Sequence, residues 1–238
     1  MIDFYWCLSA FVIFIGCTVQ TAMGFGMAVF AAPIIVLYKP EWVPIILTIV
    51  VLILSLKNAW NLRANVDWKH ITPPMISRIP GTLIGVWVLT QIPHHTLQLL
   101  VAGMVMAAIL VTAFAKPFSA TIANMSIAGL ISGFTGSTTG IGGPPMALVM
   151  QHGNSQNTRA NLSVYFAYSC LLSLLAYQLM GLMSKELWLT GITFIPVGLA
   201  GFFVGIRLRD WVDARFRPLL LILCSISAAI AFYGALTH

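Results

Sequence analysis

The sequence predicts an all-α polytopic membrane protein made of two inverted structural repeats. Hydrophobic residues make up 59% of the 238-residue chain, only 8% of the residues are charged, and the mean hydropathy is +0.94. Soluble domains carry far more charge than this. Apolar runs of about 20 residues, the length needed to cross a hydrocarbon core, follow one another along most of the chain. Because these runs are continuously apolar and do not alternate, we expect helices and not a β-barrel.

An internal duplication with a spacing of 116 residues predicts the repeats. Its two pairs of matching motifs are Gly24-Phe25-Gly26 with Gly140-Ile141-Gly142, and Ile79-Pro80 with Ile195-Pro196. Gly85 and Gly201 follow the second pair at the same spacing. The predicted transmembrane repeats are residues 1–117 and 118–238. Transporters often place their substrate sites at paired, broken helices where two such repeats meet.

Breaks at proline, glycine and charged residues divide each repeat into about five helical segments, eight to ten in total. The first repeat is predicted to contain 4–22, 25–38, 42–62, 72–90 and 96–115. The second is predicted to contain 121–137, 141–153, 160–180, 187–206 and 217–236. The segments 25–38 and 141–153 are too short to cross a membrane comfortably. Each is therefore expected to belong to a kinked span or to a re-entrant hairpin at the glycine-rich motif.

The positive charges favour inversion of the second repeat. Arg78 lies inside a predicted helix and is left out of the count. If each half made four crossings, the other 11 Lys and Arg residues would divide five against six between the two sides. If each half makes an odd number of crossings, nine of them fall on one side and only Lys39 and Lys185 on the other. Cytoplasmic loops carry an excess of Lys and Arg, so the second arrangement is predicted, with both termini outside the cytoplasm.

The two glycine-rich motifs are the predicted substrate site. Glycine permits a non-helical backbone, and Pro144 and Pro145 suit the first turn of a new helix. A helix N-terminus has unpaired N–H groups and a partial positive charge, which favour an anion. Nearby hydroxyl and amide groups could add hydrogen bonds. The candidate substrate-binding residues are Gln20, Thr21, Gly24, Phe25, Gly26, Ser137, Thr138, Thr139, Gly140, Gly142, Gly143 and Arg78.

Two readings of Arg78 are open at this stage. It could be a fixed positive charge beside an anion path, or it could extend to the nearby membrane interface. Its counterpart in the second repeat is Phe194. The glycine pairs elsewhere are expected to serve close helix packing. These pairs are Gly81 with Gly85, Gly129 with Gly133, and Gly201 with Gly205.

Several function classes are disfavoured by the chemistry of the chain. All six acidic residues are predicted in loops or at span ends, whereas cation pumps need carboxylates within the membrane. The four cysteines are far apart, and no Gly-x-Ser-x-Gly motif is present. The basic residues are scattered over short loops, which gives no face for nucleic acid. We therefore expect no enzyme activity, no metal and no cofactor, and an anion carrier is the class that remains.

The motifs also resemble those of a known family. The duplicated glycine-rich motif, the Ile-Pro-x-x-x-x-Gly pattern of each half and the run Gly201–Arg209 with Phe216-Arg217 are similar to the sulfite exporter TauE/SafE family of membrane transporters. The resemblance covers essentially the whole chain. It implies an integral protein of the plasma (bacterial inner) membrane that transports sulfite, organosulfonates such as sulfoacetate, or carboxylic anions, coupled to a proton or sodium gradient. The first half departs from the family pattern, because Met27 and Ala28 occupy positions where further glycines are expected.

Two alternatives to a carrier stay open from the sequence alone. The chain could be a passive anion channel, or a membrane scaffold subunit whose broken helices bind a partner protein. The expected partners of a carrier are the small anion, the lipid bilayer and a coupling ion, with no nucleic acid. The sequence does not distinguish a monomer from a homodimer.

Overall fold

The structure is a computed structural model that describes residues 3–114, 119–150 and 155–213. Within these ranges the chain forms ten α-helices and no strand, which confirms the all-α prediction. The first half contains α1 Phe4–Met23, α2 Met27–Ile35, α3 Ile45–Asn61, α4 Trp68–Gln91 and α5 His94–Phe114. The second half contains α6 Ile122–Thr139, α7 Gly143–Met150, α8 Ser155–Leu179, α9 Lys185–Thr193 and α10 Ile195–Asp213. The predicted segment 217–236 lies outside the described residues.

Two predicted segments, 72–90 and 187–206, differ from the observed helices for identifiable reasons. Helix α4 begins at Trp68 because the Asp67 carboxylate caps it, accepting the N–H groups of Lys69 at 3.1 Å and His70 at 3.3 Å. The hydrogen bond with the His70 ring also holds the pKa of Asp67 below its usual range. The predicted segment 187–206 is two helices, α9 and α10, interrupted at Phe194. Proline at position 196 has no N–H to continue the helical ladder, which favours an interruption here.

Among the described residues, four helical stretches are long and apolar enough, by length and composition, to cross a membrane. They are Phe4–Met23, Pro40–Asn61, Ser155–Leu179 and Lys185–Arg209. The third stretch is α8, and the fourth combines α9 with most of α10. These stretches support an integral membrane protein.

Glycines hold two pairs of helices in close contact. Helix α4 packs on α6, where a Cβ on Gly133 would lie 2.6 Å from the carbonyl oxygen of Arg78. Helix α1 packs on α10, where a Cβ on Gly201 would lie 2.6 Å from the carbonyl oxygen of Phe14. Small residues permit such close backbone approach between membrane helices. The packing function predicted for these glycines therefore agrees with the structure.

The directions of the helices are consistent with two oppositely oriented halves. Helices α4 and α6 run parallel, because Gly129 lies beside Pro74 and Gly133 lies beside Arg78. Helices α1 and α10 are also parallel. Helix α3 runs opposite to its counterpart α8, because the end of α3 lies beside the start of α8. The loop that follows α3 contacts the first turns of α8, where the Asp67 amide donates to Asn161 Oδ1 at 2.7 Å. These directions favour the inverted arrangement, which stays a prediction.

Candidate functional site

Each glycine-rich motif breaks the chain after a long helix. Gly24 ends α1 with φ 95°, and Gly140 ends α6 with φ 80°, so both adopt the left-handed conformation that glycine favours. Short helices α2 and α7 follow at Met27 and Gly143. We refer to residues 24–26 as the first break and residues 140–142 as the second break. Gly24 and Gly140 thus share their conformation, whereas Gly26 has a positive φ of 119° and its counterpart Gly142 does not have a positive φ.

A cavity of about 50 Å³ lies between the two breaks. A buried water needs about 10–15 Å³ measured in this way, so the space suits a few waters or one small oxyanion. Its wall comes from α1, α2, α3, α4, α6, α7 and α8 as well as both breaks. The polar side chains that line it are Gln20, Thr48, Arg78, Ser169 and Ser173. Apolar side chains such as Phe25, Val29 and Phe166 form much of the rest.

The cavity brings together seven of the twelve residues predicted for the substrate site. They are Gln20, Phe25, Gly26, Arg78, Gly140, Gly142 and Gly143. The other five, Thr21, Gly24, Ser137, Thr138 and Thr139, do not line it. The three hydroxyls of α6 instead donate to carbonyls within their own helix, with Ser137 bonding Gly133 at 2.8 Å and Thr139 bonding Thr135 at 2.8 Å. Serine and threonine commonly make this bond inside helices, which turns the hydroxyl away from a ligand.

Three of the backbone amides at or beside the breaks donate to groups of the protein itself. At the first break, the Met27 amide donates to Gln20 Oε1 at 3.3 Å. At the second break, the Ile141 amide donates to Thr139 Oγ1 at 3.3 Å and the Gly142 amide donates to the Gly140 carbonyl at 3.2 Å. The prolines that follow in α7 have no N–H. The helix N-termini therefore offer an anion fewer donors than the sequence suggests.

Arg78 supplies a buried positive charge at the cavity wall. Its side chain is only 3% exposed, and it lies ten residues into α4, which corresponds to a depth of about 15 Å. Its Nη1 donates to Ser132 Oγ at 2.9 Å and to the Tyr165 hydroxyl at 3.2 Å. The ion pairs found among the described residues join Lys39 to Glu41 and His70 to Asp67. Arg78 therefore has only neutral partners in the part of the chain that the structure describes, and the interfacial reading does not fit its burial.

Two other arginines lie at the end of α1. Arg159 Nε donates to the Ala22 carbonyl at 2.7 Å, and Arg209 donates to the Thr21 carbonyl at 3.3 Å. Cations near a helix C-terminus interact favourably with its partial negative charge. At the position in α6 that corresponds to Thr21, the carbonyl of Ser137 accepts instead from the Tyr177 hydroxyl at 2.7 Å. The helix end at the first break thus carries two arginines at positions where the second has the neutral Tyr177.

Several residues of the site were not predicted from the sequence. Ser132 and Tyr165 hold Arg78, while Gly136, Thr48, Ser169 and Ser173 line the cavity. Ser132 and Tyr165 are 54 and 87 residues from Arg78 in the chain. Serine, threonine and tyrosine are common within these helices, so no spacing pattern singles them out. Gly136 precedes the second break by one turn, and this proximity could have identified it as a residue of the site.

These features define an α-helical membrane protein with a small, arginine-bearing cavity between two helix breaks. The sequence matches the family described as Sulfite exporter TauE/SafE over residues 8–231, and the chain belongs to this family. The resemblance inferred from the motifs is thereby confirmed. The family is one of membrane transporters of sulfur anions. Comparisons with curated proteins and with solved structures return no match.

Replacing Gly140 by alanine is expected to destabilise the second break through backbone strain alone. A Cβ at this position would approach no atom closer than 3.6 Å, but φ is 80°. The left-handed conformation costs a residue with a side chain about 1–2 kcal/mol. The thermal midpoint of the purified protein should therefore fall for Gly140→Ala and fall less for Gly140→Asn, because asparagine tolerates this conformation. Equal midpoints for the two variants would contradict the strain argument.

Proposed function

We propose that this protein is a secondary transporter that carries small sulfur-containing or carboxylic anions by alternating access. Sulfite and organosulfonates of the sulfoacetate type are the expected substrates. The observation that carries the proposal is the buried Arg78 guanidinium, which lines a cavity between the two breaks and has only neutral partners among the described residues. The cavity is the proposed position of the bound anion.

The energetics of a buried charge support this position. Removing an ionised group from water costs several kcal/mol, and an opposite charge with well-directed hydrogen bonds offsets that cost. Ser132 and Tyr165 are neutral, so they do not balance the charge of Arg78. A small anion in the cavity would do so, and Thr48 and Ser169 line the same space. The positive charge thus favours an anion over a cation or a neutral solute.

Uptake into liposomes that contain only this protein tests the proposal. We expect saturable uptake of radiolabelled sulfite or a sulfonate, accelerated by a proton or sodium gradient. Non-saturable flux that ignores both gradients would indicate a passive channel. Absence of flux for sulfite, sulfoacetate, methanesulfonate and acetate would contradict transport and favour a scaffold subunit.

The arrangement in the membrane is part of the same proposal. We propose two inverted repeats in the bacterial inner membrane, with the arginine-rich end of the helix bundle in the cytoplasm. Arg209 contacts Asn58 at 2.6 Å, and Asn157 contacts Asn65 at 3.4 Å, so the loop after α3 lies at the same end as the start of α8 and the end of α10. Clustering of these basic segments at one end agrees with the charge distribution expected of cytoplasmic loops.

Cysteine labelling tests this topology. In a background without Cys7 and Cys224, Ala64→Cys is expected to react with a membrane-impermeant maleimide only from the cytoplasmic side. Glu186→Cys should react only from the opposite side, because it precedes the part of α9 that packs on the other end of α3. Both positions are exposed. Labelling of both from the same side would rule out the proposed orientation.

A further inference from the structure

We propose that Ser132 and Gly136 fix the guanidinium of Arg78 so that its Nε and Nη2 edge forms a two-point fork for the anion. Resting on the proposed function, this inference narrows the substrate class. The site should prefer anions that have two oxygens on one centre, such as sulfonates, hydrogensulfite and carboxylates, over spherical anions such as chloride. Ser132 and Gly136 would be positioning residues, since they act through Arg78.

The hydrogen bonds of Arg78 leave one edge of the guanidinium open. A guanidinium has five N–H donors in a fixed plane. Two bonds from Nη1, to Ser132 and Tyr165, occupy one side. The buried Nε has no hydrogen-bond partner, and Nη2 makes no hydrogen bond to the described residues. Nε and Nη2 share the edge that pairs side by side with two oxygen atoms.

Ser132 ties the occupied side of Arg78 to the second break. Its hydroxyl accepts from Arg78 Nη1 at 2.9 Å and donates to the Gly142 carbonyl at 2.5 Å. Tyr165 contacts the guanidinium from α8, with the Arg78 Cζ 5.4 Å from the ring centre. With Nη1 held between two helices, rotation of the guanidinium would break both bonds.

Gly136 leaves the space that Nη2 occupies. It lies one turn after Ser132 on α6, and a Cβ there would be 2.9 Å from Arg78 Nη2 and 3.3 Å from the Gly142 Cα. A methyl group at this position would push the end of the arginine out of its plane. Gly136 and Arg78 both line the cavity. The orientation of the fork therefore depends on this glycine.

A fixed fork distinguishes anions by shape. Sulfonate and carboxylate groups can accept two parallel N–H bonds, and such bidentate bonds to charged groups are the stronger kind. Chloride has no pair of acceptors to match the edge. A lysine in place of Arg78 would keep the charge but supply a single ammonium group. This substitution therefore separates the contribution of the positive charge to anion binding from that of the shape of the guanidinium.

The test is displacement of radiolabelled sulfite from the purified full-length protein, with methanesulfonate, acetate and chloride as the competitors. In the wild type, the methanesulfonate concentration that displaces half of the label should be at least about tenfold lower than that of chloride, because methanesulfonate can accept two bonds from the charged guanidinium edge. Arg78→Lys and Gly136→Ala should each weaken the binding of methanesulfonate by about tenfold and reduce the ratio of its affinity to that of chloride. Ser132→Ala should act in the same direction, and Ser132→Cys should restore part of the affinity. Gly103→Ala, where no atom lies within 4 Å of the added Cβ, is the matched control.

The outcomes separate this inference from the proposed function. The fork is wrong if Arg78→Lys binds methanesulfonate with the affinity of the wild type, or if Gly136→Ala weakens the binding of methanesulfonate and of chloride equally. Neither result contradicts anion transport. If the wild type binds none of the anions, the proposed function fails and the fork fails with it. The ligand-free thermal midpoint of each variant shows whether it is folded. Gly136→Ala keeps the test decisive even if Arg78→Lys does not fold.

Discussion

Replacement of Arg78 by methionine is expected to abolish saturable uptake of every transported anion. Methionine fills much of the same volume but removes the only charged side chain known to line the cavity among the described residues. Removing one partner of a buried charge pair costs about 3–5 kcal/mol, which corresponds to at least about a 100-fold loss of affinity. Uptake into liposomes, measured across a wide range of anion concentration, gives the effect directly.

Arg63→Met is the matched control for this loss. Arg63 is an exposed arginine that lies 4.9 Å from the Trp60 ring and donates to the Trp60 carbonyl. Its replacement removes the same charge from the protein without changing the cavity, so uptake should be unaffected. Equal uptake by the wild type and Arg78→Met would show that the anion binds elsewhere.

Replacement of Gly201 by alanine is expected to separate α1 from α10. The added Cβ would lie 2.6 Å from the Phe14 carbonyl oxygen and 2.9 Å from the Cys17 Cβ. A backbone carbonyl cannot rotate away, so the helices must shift. Overpacking of this kind costs about 1–3 kcal/mol, which lowers the thermal midpoint by several degrees in a chain of this size.

Gly103→Ala provides the comparison for Gly201→Ala. Gly103 is also helical, but its Cβ would enter open space. Alanine has a higher helix propensity than glycine, so this variant should match or exceed the stability of the wild type. A similar decrease of the thermal midpoint in both variants would mean that the helix contact at Gly201 does not cause the loss of stability.

The helices could be predicted closely because hydropathy and helix breakers act locally. The predicted segments 4–22 and 96–115 correspond to Phe4–Met23 and His94–Phe114. The break at Phe194 was not predicted, although Pro196, which favours it, is visible in the sequence. Pro80 precedes Pro196 by the spacing of the matching motifs, and it lies within the continuous helix α4. Proline alone does not decide between a tolerated and a broken helix, because the neighbouring helices determine whether the free carbonyl is satisfied.

The site could be predicted only in part, for a different physical reason. Glycine spacing located both breaks, and the unmatched Arg78 was visible as an intramembrane charge. The hydroxyls of Ser137, Thr138 and Thr139 were predicted to bind the substrate; they do not line the cavity, and each donates to a carbonyl of its own helix. The groups that hold Arg78 come from α6 and α8, and such pairing between distant helices leaves no periodic signal in one sequence.

The glycine contacts have a mechanical consequence for the cavity. Arg78 and Gly136 belong to the pair α4 and α6, whereas Gln20 belongs to the pair α1 and α10. Each pair joins one helix from each half of the sequence. If tightly packed pairs move as rigid bodies, the cavity opens along the boundary between the two pairs. Arg78, Ser132 and Gly136 would then move together with the second break, and the first break would change its distance from them.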